Sequence, residues 1–172
     1  MSAAKPRFDY ARMKARKVYE KFNFIKPPVD LELIAKSVGL DYDEVDFFTD
    51  DVDALIAPFN GRVVAVINKK QPSYRRRFSF AHELYHFVEG EILIMEGRYS
   101  TGATMSRGLT KAGKDPREVE ADTFAGDLLI PIHLLTRHVR KSDSIPYVAD
   151  LFEVSPQAAQ INLNYYQQQL SD

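Results

Sequence analysis

The 172-residue chain contains no cysteine, so it can form neither disulfides nor thiolate metal sites. Any metal must be held by histidine or carboxylate side chains. Its first residues, MSAAKPRFDYARMKARK, lack the apolar stretch of a secretory signal. No run approaches the roughly 18 apolar residues of a membrane span. A cytoplasmic protein with no membrane partner is therefore expected. Net charge is nearly absent too: the formal value of -1 argues against a general nucleic-acid binder. Internal repeats and low-complexity tracts are lacking.

What is present suits a globular protein. Hydrophobic residues make up 45% of the chain, enough for a core that needs no covalent staples, and the length suits one domain. Charge is unevenly spread, with eight Lys or Arg from Lys5 to Lys26 and nine Asp or Glu from Asp30 to Asp53. Two solvated faces that attract each other are the expectation, with a docking surface for a charged partner as the alternative.

Apolar spacing predicts a helix over 9–22. Asp30 can cap a second helix, 31–38, which stops at Gly39. Residues 40–48 and 53–59 read as extended, Asn60-Gly61 as a hairpin turn, and 62–68 as the best strand. A helix is predicted from Tyr74 to about Val88, with Phe78, Ala81, Leu84, Tyr85 and Val88 at helical spacing. Residues 97–114, rich in Gly, Ser and Thr, read as a long loop, either a lid or a disordered connection. Asp115-Pro116 opens a helix that runs to Ile130. Pro131 starts another to about Arg140, and 145–169 read as two short helices split at Glu153-Val154-Ser155. The fold class is α+β, a small mixed or antiparallel sheet flanked by helices with a helical C-terminal tail.

The segment His82-Glu83-Leu84-Tyr85-His86 carries the chemistry. Residues four apart share a helix face, so His82 and His86 can converge on one Zn²⁺. Glu83 points aside, where it is better placed as a general base for the attacking water than as a ligand. A catalytic zinc keeps a third protein ligand, and Glu118 is the best candidate. Asp122, one turn on, can accept the N–H of a ligand histidine and fix its tautomer. A plainer role also exists for Glu118, since Asp115-x-x-Glu118 fits a capping box. Glu120 is the competing ligand, but it lies about 200° around the helix from Glu118.

These residues resemble a known family. Arg77-Phe78-Ser79-Phe80-Ala81-His82-Glu83-Leu84-Tyr85-His86 is similar to the RFTLAHELGH segment of the ImmA/IrrE-type metallopeptidases. Glu118-x-x-Ala121-Asp122-x-Phe124-Ala125-x-x-Leu128-Leu129-Ile130-Pro131 resembles their ExxANxFAxxLLMP element. The segments 28–40 and Val66-Ile67-Asn68 are also family-like. Tyr85 departs from the usual glycine, and Asp122 stands where asparagine is frequent. The resemblance implies a thermolysin-like (zincin) core, one Zn²⁺ per chain on His82, His86 and Glu118, and Glu83 as base. It covers roughly residues 28 to 163, and the expected organisation is one domain over 1–172: an N-terminal helix (1–28), a catalytic core (29–140) and a helical tail (141–172). Members are commonly encoded beside, or fused to, helix-turn-helix repressors, and their described activity is cleavage of such a repressor.

The expected function is thus a zinc endopeptidase with a protein substrate. The alternative is a non-cleaving module that sequesters a repressor or toxin partner. An oxyanion donor is also required; Tyr74, Tyr85, Tyr99, Arg107, His133 and His138 are candidates, and spacing does not choose among them. A peptide could add as a strand beside 62–68 if that strand lies at an edge. The tail resembles a helix-turn-helix, but 156–172 contain no Lys or Arg. A packing role is favoured over direct DNA binding.

Overall fold

The computed structural model describes residues 5–46, 52–89, 104–107 and 115–169. Among these the order is α1 (Phe8–Phe22), α2 (Leu31–Val38), β1 (Leu40–Val45), β2 (Val52–Phe59), β3 (Arg62–Asn68) and α3 (Ser73–Val88). Then follow β4 (Thr104–Arg107), α4 (Pro116–Leu129), α5 (Ile132–His138), α6 (Ile145–Phe152) and α7 (Pro156–Gln169). The mixed α+β class expected from the sequence is found.

Local chemistry sets many of the boundaries. The Asp30 side chain accepts a hydrogen bond from the Leu33 N–H at 2.9 Å, satisfying a donor that the start of α2 leaves open. Gly39 closes that helix at φ 81°, a left-handed conformation that would strain a side chain. Asn60 and Gly61 have φ of 49° and 77°, the two-residue hairpin geometry whose twist matches its flanking strands.

The hairpin pairs β2 with β3 antiparallel, from Phe59↔Arg62 to Ala54↔Ile67. On the other side of β3, β1 pairs in parallel, from Leu40↔Val63 to Val45↔Asn68. β4 adds antiparallel to β2, giving the order β1-β3-β2-β4. Residues 62–68 are therefore an interior strand, which corrects the idea that they offer an edge to a peptide. Their backbone groups bond to strands on both sides, and among the described residues the edges are β1 and β4. At the end of β3 the buried Asn68 side chain donates to the Val52 carbonyl and accepts from the Lys70 N–H, each at 3.1 Å. These bonds anchor the turn that leads into α3. The predicted loop 97–114 is corrected at 104–107, which form β4, and the rest of it lies outside the described residues.

α3 packs on β2 and β3 and against α2 and α4. Its apolar spacing predicts one buried face, yet every residue from Ser79 to Phe87 is buried, as in a helix enclosed on nearly all sides. That enclosure carries His82, Glu83 and His86 into the interior. α4 packs against α1, α3 and α7. Its Ala121 and Ala125 are fully buried, and small side chains let helices approach closely. The Phe124 ring meets the Tyr85 ring of α3 at 5.4 Å. In the tail, Glu153 takes the left-handed turn after α6 at φ 54° without a glycine, and its carboxylate lies 3.5 Å from Arg77 of α3.

Ion pairs correct the expected attraction between the basic and acidic stretches. Asp41, Glu44, Asp46 and Asp53 pair with Arg62, Arg76, Lys69 and Arg75. Basic residues of α1 and its cap pair with Glu89, Glu120 and Asp127 instead. The reason is the fold: α1 docks on α4, whereas the acidic stretch lies beside β3 and the start of α3.

Asp127 faces α1 on this interface, 4.0 Å from the Arg12 guanidinium. Burial pushes its carboxyl up to about 6, against the opposing pull of Arg12 and Arg16. The folded state therefore holds this proton more tightly than the unfolded chain, whose aspartate has the usual value of 3.8. The resulting stability is fully present below that value and lost as pH rises through about 6. Urea melts at stepped pH should show wild type losing stability relative to Asp127→Asn across this window; a constant difference would contradict the assignment. Ala121→Leu should destabilise the fold by about 1–3 kcal/mol through overpacking.

Candidate metal centre

His82 and His86 lie one turn apart on α3, with ring centroids 4.9 Å apart and Nε2 atoms separated by 3.1 Å. Glu118, in the first turn of α4, meets both. Its Oε2 is 3.2 Å from His82 Nε2, and its Oε1 is 3.4 Å from His86 Nε2. A tetrahedral ion with bonds near 2.0–2.1 Å requires donor atoms about 3.3 Å apart. The imidazole separation is close to that requirement, the carboxylate reaches each imidazole through one of its two oxygens, and one donor atom from each residue lies within 4.8 Å of the others, so the residues present fit a divalent ion. Among the described residues this trio is the only His and carboxylate group with donor atoms so close together.

The same geometry bears on the capping-box reading of Glu118. Asp115 caps the start of α4 by accepting from the Arg117 N–H at 2.9 Å, and the Glu118 carboxylate turns to the imidazoles.

Asp122 Oδ1 lies 3.0 Å from His82 Nδ1. An ionised carboxylate only accepts, so the hydrogen on Nδ1 is directed to Asp122 and Nε2 is the nitrogen that faces the ligand cluster. Burial lowers the pKa of His82, but the hydrogen bonds to Asp122 and Glu118 outweigh it and raise it to about 9. Glu118 is held low, chiefly by its hydrogen bond to His82 and against its own burial. The two imidazoles are buried, whereas the Glu118 and Asp122 side chains are 35% and 30% exposed. The cluster is thus closed on the α3 side and reached from the start of α4.

Glu83 is fully buried and follows His82 by one position, turned about 100° around the helix. Its charge adds to the field that favours protonation of His82.

The other candidates lie elsewhere. Tyr85 is buried beside His86, but its hydroxyl donates to Glu120 at 2.7 Å, so that hydrogen is committed away from the imidazole nitrogens. His133 Nε2 donates to the Phe24 carbonyl at 3.1 Å and its ring packs 4.9 Å from Tyr19. His138 Nε2 donates to the Ile25 carbonyl at 2.9 Å. Both histidines hold the chain that follows α1. Tyr74 is exposed and lies eight residues before His82, about 12 Å along the axis. Arg107 lies on β4, and Tyr99 lies outside the described residues. The structure adds a pair that sequence reasoning did not join, Arg7 with Glu120. The available signal was Glu120 itself, a carboxylate on the face of α4 opposite Glu118, beside a tyrosine in place of glycine.

Across residues 32–164 the sequence matches the IrrE N-terminal-like domain of the M78 peptidases. The chain belongs to this family. Family membership supports a metallopeptidase-type function, and the His82, His86 and Glu118 trio fits one. No curated protein matches by sequence. Among solved structures, a Mycobacterium tuberculosis transcriptional regulator is similar, with a TM-score of 0.60 and 18% identity over 88% of this chain and 45% of the regulator. At that identity the likeness shows the fold alone, and this M78 chain spans less than half of the regulator's length.

For this M78-family chain, binding an ion at His82 Nε2 displaces a proton held to about pH 9. Apparent zinc affinity should fall as pH falls below that value, by up to about tenfold per unit, in chelator competition between pH 8.5 and 6.5. Asp122→Ala should weaken zinc binding by about 10–100-fold. Asp122→Asn, which still accepts the Nδ1–H, should cost less; equal losses would show that acceptance by residue 122 is immaterial.

Proposed function

We propose that this M78 peptidase is a zinc-dependent endopeptidase that cleaves a specific protein partner, with a helix-turn-helix repressor as the first candidate substrate. The observation that carries the reading is the convergence of His82, His86 and Glu118, one donor atom from each within 4.8 Å of the others, with Asp122 behind His82. Zinc is favoured by a donor set of two imidazoles and one carboxylate. A thermolysin-like arrangement of helix and sheet is part of the same proposal. The packing of α1 and α7 on α4 supports one domain, with the tail as a packing element and not a DNA reader. Among the described residues no helix is long and apolar enough to cross a membrane, and we place the protein in the cytoplasm.

An ion held by the trio supplies Lewis-acid activation of the water and of the scissile carbonyl. The chain's own residues perform the remaining tasks. Glu83 accepts the proton of the attacking water and returns it to the departing amine. Asp122 keeps the hydrogen on His82 Nδ1 and thereby directs Nε2 toward the ion. Burial of α3 around Glu83 limits competing water and strengthens these electrostatic interactions.

A second reading, partner binding without cleavage, is favoured by one observation. The polar hydrogens of Tyr85, His133 and His138 are committed to Glu120, Phe24 and Ile25, so these three do not provide the oxyanion donor.

Glu83→Gln separates the two readings. Wild type should bind about one equivalent of zinc and cut a helix-turn-helix repressor encoded beside it. The variant should keep the metal and lose cleavage by at least about 10²-fold. Folded wild-type protein that takes up no zinc would sink the metal reading. Full biological activity in Glu83→Gln would favour binding over catalysis.

A further inference from the structure

Glu120 stands on α4 between Glu118 and Asp122, yet it faces neither solvent nor the ligand histidines. Its side chain is 3% exposed and its carboxylate accepts four hydrogen bonds. Oε2 receives the Tyr85 hydroxyl and Arg7 Nη2, each at 2.7 Å. Oε1 receives Arg7 Nε at 2.9 Å and the Arg7 backbone N–H at 2.8 Å. Arg7 is the residue just before α1. Its guanidinium lies 4.4 Å over the Tyr10 ring and 3.8 Å from Glu89, the residue that closes α3. Tyr10 and Lys14 of α1 also reach the Glu89 carboxylate, at 3.1 and 2.8 Å. The start of α1 is therefore fastened to both helices that bear the metal ligands.

We propose that Arg7, Glu120 and Tyr85 form a positioning relay that sets the spacing of α3 and α4, and through it the geometry of the His82, His86 and Glu118 trio. The proposal rests on the metal reading above. Two placements make the coupling direct. Tyr85 immediately precedes His86 and packs edge-on to it, with centroids 5.9 Å apart. Glu120 is two residues from Glu118, about 3 Å along the helix axis, so α4 cannot shift at one without shifting at the other.

Charge explains why the relay needs its third member. A buried carboxylate without a counter-charge is strongly unfavourable, and a neutral tyrosine hydroxyl does not neutralise it. Arg7 brings that charge in a forked geometry suited to both carboxylate oxygens. Without Arg7, whose own side chain is 57% exposed, the Glu120 anion keeps only the Tyr85 hydroxyl and takes up water where Arg7 stood, which loosens the α3–α4 seam that holds Glu118 to the imidazoles. The plainer alternative is a clamp that merely docks α1. Such a clamp would alter the melting temperature and leave the metal site of the folded protein unchanged.

The test compares wild type with Tyr85→Phe, Arg7→Lys, Arg7→Met and the double variant Arg7→Met with Glu120→Gln. Zinc affinity is measured by chelator competition and ligand geometry by the visible spectrum of Co²⁺-loaded protein, at a temperature where circular dichroism shows each variant folded. Tyr85→Phe and Arg7→Met should weaken zinc binding about tenfold, the lower end for groups that orient ligands, and should shift the Co²⁺ bands. Arg7→Lys should lie between them and wild type. The double variant, which removes the buried charge with its partner, should lose less affinity than Arg7→Met alone. Lys17→Ala on the exposed face of α1 should match wild type throughout. Variants that melt earlier but bind zinc and Co²⁺ as wild type does would overturn the relay. If Tyr85→Phe does not fold, Arg7→Lys decides, since that side chain is 57% exposed. Failure of wild type to bind either ion would overturn the metal reading and the relay together, and the wild-type measurement distinguishes that outcome from failure of the relay alone.

Discussion

Helices α3 and α4 meet along a seam that is apolar through Tyr85, Phe124, Ala121 and Ala125 and polar on either side. On one side Glu118 and Asp122 reach His82 and His86; on the other, Glu120 reaches Tyr85 and Arg7. Ionised groups that leave water in such a seam require partners held at hydrogen-bonding distance. The close approach of the helices thus depends on the polar pairs, and the polar pairs depend on the close approach. The sheet contributes by holding α3 from beneath, which leaves α4 as the surface on which its ligand face is completed.

The two sides of the seam manage charge differently. At Glu120 the counter-charge is permanent, because arginine does not titrate in the physiological range, and the carboxyl is held low at about 2, chiefly by its hydrogen bond with Arg7. At the trio the positive charge is exchangeable: His82 can carry a proton, or its Nε2 can face an ion. The fixed pair braces the helices where chemistry is not needed, and the exchangeable group lies where the site opens toward solvent. Arg7 precedes the stretch 32–164 that matches the M78 family, yet it joins the bracing pair, so α1 is tied to the site's geometry as well as to its stability.

Much of the site was legible because its first elements are local. The spacing of His82 and His86 is a property of one helix turn, and Asp30, Gly39 and Asn60-Gly61 act through their own backbone. The interior position of β3 was not legible, because strand order depends on which hydrophobic faces find each other across long loops. The partners of the basic residues in and beside α1 were missed for a related reason. Proximity in sequence suggested the acidic stretch from Asp30 to Asp53, whereas docking on α4 brought Glu89, Glu120 and Asp127 into reach.

The sequence by itself determined that two imidazoles and a glutamate share one helix, and that Glu118 and Asp122 share a face of another. Both follow from the 3.6-residue period of a helix. That the opposite face of α4 would take Tyr85 and Arg7, only the tertiary structure decided. Rotation of one helix against another is set by packing summed over α1, α3 and α7 together, and no local period encodes that sum.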